Sequence, residues 1–167
     1  MEYKKKKVPV VDIFAGPGGL SEGFHRYSSF RDDRNLEFDL KLSIEKDKAA
    51  YSTLTLRAYT RQFPEGKIPK NYYNYISENN PEEREKILSK IKKSEEWKKA
   101  ESETLHATLG EVPKDEVDRR IKQQIGSSED WVLLGGPPCQ AYSVIGRARR
   151  LGKLSGRETE MLTDPSH

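Results

Sequence analysis

The sequence predicts an α/β domain built on a doubly wound parallel sheet, and three stretches carry that prediction. Val8 to Phe14 is an apolar run followed by the turn Ala15-Gly16-Pro17-Gly18-Gly19, with Leu20, Phe24 and Tyr27 recurring at helical spacing behind it. Leu36 to Ile44 alternates apolar and polar residues and closes on Glu45. Trp131-Val132-Leu133-Leu134 is a bulky run stopped by Gly135-Gly136-Pro137-Pro138, and the only cysteine, Cys139, follows at once. Strand, glycine turn and helix in that order begin a nucleotide-cradling sheet. The glycines let backbone approach a ligand, and the helix N-terminus faces it.

The first strand is apolar except for Asp12. Its turn lacks the full G-x-G-x-x-G spacing and no Walker lysine follows, so neither a dinucleotide nor a triphosphate is favoured. In the second strand Leu36, Phe38, Leu40, Leu42 and Ile44 alternate with Glu37, Asp39, Lys41 and Ser43, the period of a half-buried strand. An inner parallel strand is more often apolar on both faces. Glu45 at its end is placed to accept hydrogen bonds from both hydroxyls of a ribose. Asp47 competes for that role, and an ordinary solvated glutamate is the alternative. A helix is expected from about Lys48 to Gln62, with Ala50, Leu54 and Ala58 on one face.

Pro64 to Asn80 reads as loop, in which Tyr72, Tyr73 and Tyr75 either stack on bases or pack the loop onto the domain. Asn80-Pro81-Glu82-Glu83 is a helix start: a capping residue, proline at the first position and acids in the first turn. That helix is expected to reach about Glu101, with Ile87, Leu88, Ile91 and Trp97 as its apolar contacts. Another follows Pro113, with Val117, Ile121 and Ile125 on one face. The stretch from about 64 to 129 is therefore expected as loop and helical insertion on the outside of the sheet. A partner-binding helix is the alternative.

Beyond Cys139 the chain turns basic. Arg147, Arg149, Arg150, Lys153 and Arg157 fall in a segment without Asp or Glu, and Gly146, Gly152 and Gly156 make it a loop rather than a helix. Such a loop suits a polyanionic substrate or is simply solvated. A lone thiol on a rigid turn ending a core strand is placed as a nucleophile. The bland reading is a small apolar residue plugging a loop.

Composition sets the bounds. A chain of 167 residues is long enough for one domain with a real core. Hydrophobic and charged residues each make up 34%, so part of the chain is expected as solvated helix or loop. The formal charge of +3 does not by itself argue for nucleic acid. One cysteine excludes an internal disulfide or a Cys-cluster zinc site and fits a reducing compartment. No apolar run approaches the roughly 18 residues of a membrane helix. Lys4 to Lys7 imitates the start of a signal peptide, but Pro9 and Asp12 break the apolar stretch behind it, which leaves a solvated tail.

Two motifs together carry a family resemblance. Asp12-Ile13-Phe14-Ala15-Gly16-Pro17-Gly18-Gly19-Leu20-Ser21-Glu22-Gly23-Phe24 resembles the first signature of DNA (cytosine-5)-methyltransferases. Gly135-Gly136-Pro137-Pro138-Cys139-Gln140-Ala141-Tyr142-Ser143 resembles their catalytic signature. The resemblance implies an incomplete Rossmann-like S-adenosylmethionine-dependent methyltransferase fold with a helical insertion. It implies S-adenosylmethionine as cofactor, lined by Phe14, Gly16, Gly18, Gly19 and Leu20, with Glu45 on the ribose and Pro138 packed against the ligand. Cys139 is then the nucleophile toward C6 of a cytosine flipped out of double-stranded DNA, and Gln140, Ser143 and Arg147 contact that nucleotide and its backbone. No metal is implied. The setting implied is a restriction-modification system in the bacterial cytoplasm.

The family's Glu-Asn-Val and Arg-x-Arg signatures and its target-recognition domain do not follow in this sequence. The chain is therefore expected as the N-terminal part of the catalytic domain, in a truncated enzyme or one half of a split enzyme completed by a C-terminal half. A non-catalytic cofactor-binding module or gene remnant is the alternative. Such a fragment is expected to be poorly soluble or to self-associate, because half a sheet exposes strand edges and apolar surface. The acidic residue that meets adenine after the third strand in the family has no good match within Leu105 to Glu111.

Overall fold

The computed structural model describes residues 6–30 and 36–137. Among them is a four-stranded, wholly parallel sheet with helices on both faces, an α/β Rossmann-like arrangement. In chain order its elements are β1 (Lys6–Ile13), α1 (Gly19–Phe30), β2 (Leu36–Glu45), α2 (Lys48–Arg61), α3 (Lys70–Ser77), α4 (Pro81–Ile91), α5 (Glu95–Ser102), β3 (Thr104–His106), α6 (Lys114–Ile125) and β4 (Val132–Gly135). The strands lie in the order β3-β2-β1-β4. The chain thus grows outward from β1 through β2 to β3, then returns to the other side of β1. Reversal of strand order opens a crevice at the carboxyl ends of β1 and β4, the usual ligand position in such sheets.

The strand β2 resolves the puzzle of its alternating sequence. Val10 pairs with Leu40 but Val11 pairs with Leu42, so Lys41 is an extra residue in the ladder. Before this bulge Phe38 and Leu40 pack with Val10, Leu134, Phe24 and Val132 under α1. After it Leu42 and Ile44 pack with Val11 and Ile13 on the opposite face, against Val117, Ile121 and Ile125 of α6. The half-buried pattern therefore serves both faces in turn.

Residues 64–129, expected as loop and helical insertion, contain more of the sheet than that. Thr104–His106 is a strand paired with Ser43 to Glu45 of β2. The helix α6 is the crossover from β3 to β4, and its predicted apolar face covers the sheet. Two other expectations are corrected locally. Pro64 to Asn80 is not all loop, since it contains α3. The single helix expected to Glu101 breaks at Lys92–Ser94 into α4 and α5, and Ser94 Oγ restarts it by accepting from Trp97 N at 3.2 Å. On α1, Leu20 and Tyr27 are exposed, at 51% and 39%. The cap at Asn80 forms as expected, its Oδ1 accepting from Glu82 N and Glu83 N.

A second core lies beside the sheet. Ala58 and Tyr59 of α2 pack with Tyr75, Ile91, Trp97 and Ala100, which ties α3, α4 and α5 together. Tyr75 is buried there with the Arg84 guanidinium over its ring, and Tyr72 packs at the border, so packing is the role the structure gives these two rings. Arg61, at the end of α2, forms ion pairs with Glu22 of α1 and Glu103 after α5, while Gln62 also donates to Glu103. No helix among the described residues is long and apolar enough to cross a membrane.

Candidate active site

Local geometry at the end of β1 is dictated by its glycines. Gly16 and Gly18 have φ of +55° and +85°, which an L side chain adopts only under strain. Phe14 has φ of +55° without being glycine, an uncommon conformation that clusters at ligand sites. The turn is held from both sides: Ala15 N donates to Ile44 O of β2 at 3.0 Å, and Gly18 N donates back to Ala15 O at 3.0 Å. Behind it α2 packs so closely that a Cβ on Gly18 would lie 2.8 Å from Leu54 Cδ1. A Cβ on Gly16 or Gly19 would meet nothing within 4 Å, so those two face open space.

Glu45 is brought to this turn across 29 residues of sequence. Its Oε2 accepts from Gly16 N and its Oε1 from Asp47 N, both at 2.7 Å. One carboxylate therefore joins the ends of β1 and β2. Each oxygen keeps a further lone pair for a ligand hydroxyl. Asp47, the other acid at this end of β2, caps α2: its Oδ1 accepts from Ala50 N at 2.8 Å.

Asp12 lies beneath the turn, buried to 1% exposure. Its Oδ2 has no hydrogen-bond partner among the described residues. Burial pushes its carboxyl above the usual range, the neighbouring Ser21 hydroxyl partly offsets that, and the charge of Glu45 adds to the rise. On the other side of β1, Gly135 pairs with Ile13, and a Cβ there would sit 2.9 Å from Ile13 Cγ1. Only glycine lets β4 approach so closely before the chain turns at Gly136-Pro137.

The structure thus places Phe14, Gly16, Gly18, Gly19 and Leu20 in the turn after β1 and at the start of α1, with Glu45 bonded to Gly16 N and Gly18 packed against Leu54. Pro138, Cys139, Gln140, Ser143 and Arg147 lie outside the described residues. Sequence reasoning missed the strand that ends on His106, the register partner of Glu45 in β2. A strand of three residues is too short to show a period. The residues present fit an S-adenosylmethionine: open space before Gly16 and Gly19, an acidic acceptor at the end of β2, and exposed Leu20 beside them.

Comparison with known proteins agrees. Residues 82–163 match the family model for C-5 cytosine-specific DNA methylase. The Type II methyltransferase M.Bpa9945I of Bacillus paralicheniformis is 29% identical over 156 residues, covering 84% of this chain and 32% of that protein. The protein M.OihORF3336P of Oceanobacillus iheyensis is 30% identical over 145 residues, covering 86% of this chain and 21% of that protein. The chain thus resembles C-5 cytosine-specific DNA methylases over the matched residues and type II methyltransferases over most of its length. No solved structure gives a significant match. The methylase family model matches from α4 through β3, α6 and β4, so part of the stretch expected as insertion lies within it. The chain spans about a third of the length of one methyltransferase relative and about a fifth of the other.

Proposed function

We propose that this chain carries the cofactor-binding half and the nucleophile of an enzyme that methylates C5 of cytosine in DNA, within a type II restriction-modification system. The supporting observation is the Glu45 carboxylate bridging Gly16 and Asp47 beside the β1–β4 crevice, which joins a ribose acceptor, an open glycine turn and the strand leading to Cys139. Cys139 is two positions beyond Pro137 in the sequence, no more than about 7 Å of extended chain.

In this reading the Cys139 thiolate adds to C6 of a flipped cytosine. The C5=C6 electron pair is thereby displaced onto the ring, and C5 becomes nucleophilic. Bound S-adenosylmethionine would supply the methyl group to C5 as an electrophile, its S–CH3 bond breaking to leave the neutral thioether S-adenosylhomocysteine. Loss of the C5 proton to a base then expels the thiolate from C6 and restores the aromatic ring. Phe14, Gly16, Gly18, Gly19 and Leu20 shape the cofactor's side of the crevice, Glu45 orients its ribose, and Pro138 packs against it. Gln140, Ser143 and Arg147 hold the flipped nucleotide and its backbone. The remaining parts of the enzyme, including the segment that reads the DNA sequence, come from a C-terminal half.

The test is adduct formation on duplex DNA carrying 5-fluorocytosine, with S-adenosylmethionine and the intact protein. Fluorine at C5 cannot leave as a proton does, so the Cys139 adduct accumulates as a covalent band. Cys139→Ser should form none. A Cys139→Ser protein that still methylates DNA normally would exclude the assignment.

A further inference from the structure

We infer that Arg57 of α2 is a positioning residue for the cofactor, fixing the peptide that joins the glycine turn to α1. This inference rests on the cofactor reading above. Gly18 and Gly19 flank that peptide, so no side chain restrains its rotation. Its carbonyl is held instead. Gly18 O accepts from Glu22 N at 3.1 Å, from Ser21 Oγ at 3.3 Å and, over a longer reach, from Arg57 Nη1 at 3.5 Å. The first two donors belong to α1 and move with it. Arg57 reaches over from α2 and ties the turn to a helix packed against β2 and β3.

The face of α2 that meets the turn is built around this contact. Leu54, Arg57 and Arg61 stand at i, i+3 and i+7 on one side of the helix. Leu54 packs beneath Gly18, whose φ is +85°. The Arg57 stem lies beside it, its Cδ 3.7 Å from the place a Cβ on Gly18 would take. Arg61 pairs with Glu22 one turn further along α1. The Gly18–Gly19 peptide is planar and trans, so holding Gly18 O toward Glu22 N and Arg57 turns the Gly19 N–H the other way, out of the α1 N-terminus. The guanidinium charge also polarises that peptide, which makes its N–H a better donor to a ligand over the turn. Arg57 thus acts on the cofactor through the backbone.

The experiment is calorimetric binding of S-adenosylhomocysteine to the intact protein and to its Arg57→Met and Arg57→Lys variants, with hydrogen exchange of the backbone amides measured in parallel. Arg57→Met keeps an apolar stem beside Gly18 and removes the donor. It should stay folded and bind about three- to tenfold more weakly, the worth of one hydrogen bond. Exchange at Gly18 N and Glu22 N should quicken while that of the β1 amides stays at the wild-type rate. Arg57→Lys restores a cationic donor on a similar stem and should recover most of the affinity. Wild-type affinity in folded Arg57→Met, or an equal loss in Arg57→Lys, overturns the inference and leaves the cofactor reading standing. So does exchange that quickens in β1 as much as in the turn, or an Arg57→Met protein that fails to fold, since either makes the residue part of the scaffold alone. Absence of binding by the wild type overturns both readings.

Discussion

Replacing Gly18 by alanine separates the scaffold of the glycine turn from its ligand face. At φ of +85° an L residue is strained by roughly 1–3 kcal/mol. The new Cβ would also sit 2.8 Å from Leu54 Cδ1, in a side chain with no solvent exposure. Forcing such a side chain aside costs another 1–3 kcal/mol or so. The two together come to about 2–6 kcal/mol, which at an m-value of roughly 2 kcal/mol per molar lowers a urea midpoint by about 1–3 M. Gly19→Ala is the control: its φ is not positive and its Cβ would meet nothing within 4 Å. That variant should unfold at the wild-type midpoint or slightly above it, while filling space on the ligand side and weakening S-adenosylmethionine binding. The clash is checked by a double-mutant cycle with Leu54→Ala, which should recover at least about 1 kcal/mol of the Gly18→Ala loss. A wild-type midpoint for Gly18→Ala, or strict additivity with Leu54→Ala, would refute the reasoning.

Two further predictions concern charge. Arg61→Ala leaves Glu22 and Glu103 without their guanidinium, with side chains only 17% and 22% exposed, and should cost about 2–4 kcal/mol in chemical denaturation. The burial that dominates at Glu103 already pushes its carboxyl above the ordinary range, so proton uptake there should soften the loss as pH falls. Asp12→Asn should raise stability at neutral pH. The native carboxyl of Asp12 is raised, so the folded state holds its proton more tightly than the unfolded chain. Wild-type stability is therefore full below the ordinary carboxylate range and declines as pH rises through the shifted value. The variant's advantage should vanish in acid, and an advantage that grows in acid would contradict the assignment.

What the sequence made legible was local. The glycine turn, the acidic end of β2 and the Asn80 cap each depend on a few neighbouring residues whose backbone preferences read directly. What stayed hidden depended on distance or on brevity. Nothing near Arg61 announces Glu22 and Glu103, 39 and 42 residues away. The contact of Glu45 with Gly16 was foreseeable only as a shared site, not as a hydrogen bond. The three residues of β3 carry no period, which is why that strand and the crossover role of α6 escaped notice. The break between α4 and α5 escaped because Lys92 and Lys93 do not oppose helix, and only the Ser94 cap marks the restart.

The bulge in β2 also has a consequence for how this strand can vary in length. A strand counts its residues in twos, and Lys41 is the position where the count restarts. Its side chain takes no part in either core and pairs with Asp39 at 2.7 Å. Removal of Lys41 would leave Leu40 opposite Val10 and Leu42 opposite Val11, the same pairs as now, joined by a regular ladder. Loss of Ser43 instead would turn Ile44 toward the wrong helix and carry Glu45 away from the glycine turn. Relatives one residue shorter in β2 can therefore keep the same core only if the gap falls at the bulge, and the rest of the strand must be conserved in length even where its side chains drift.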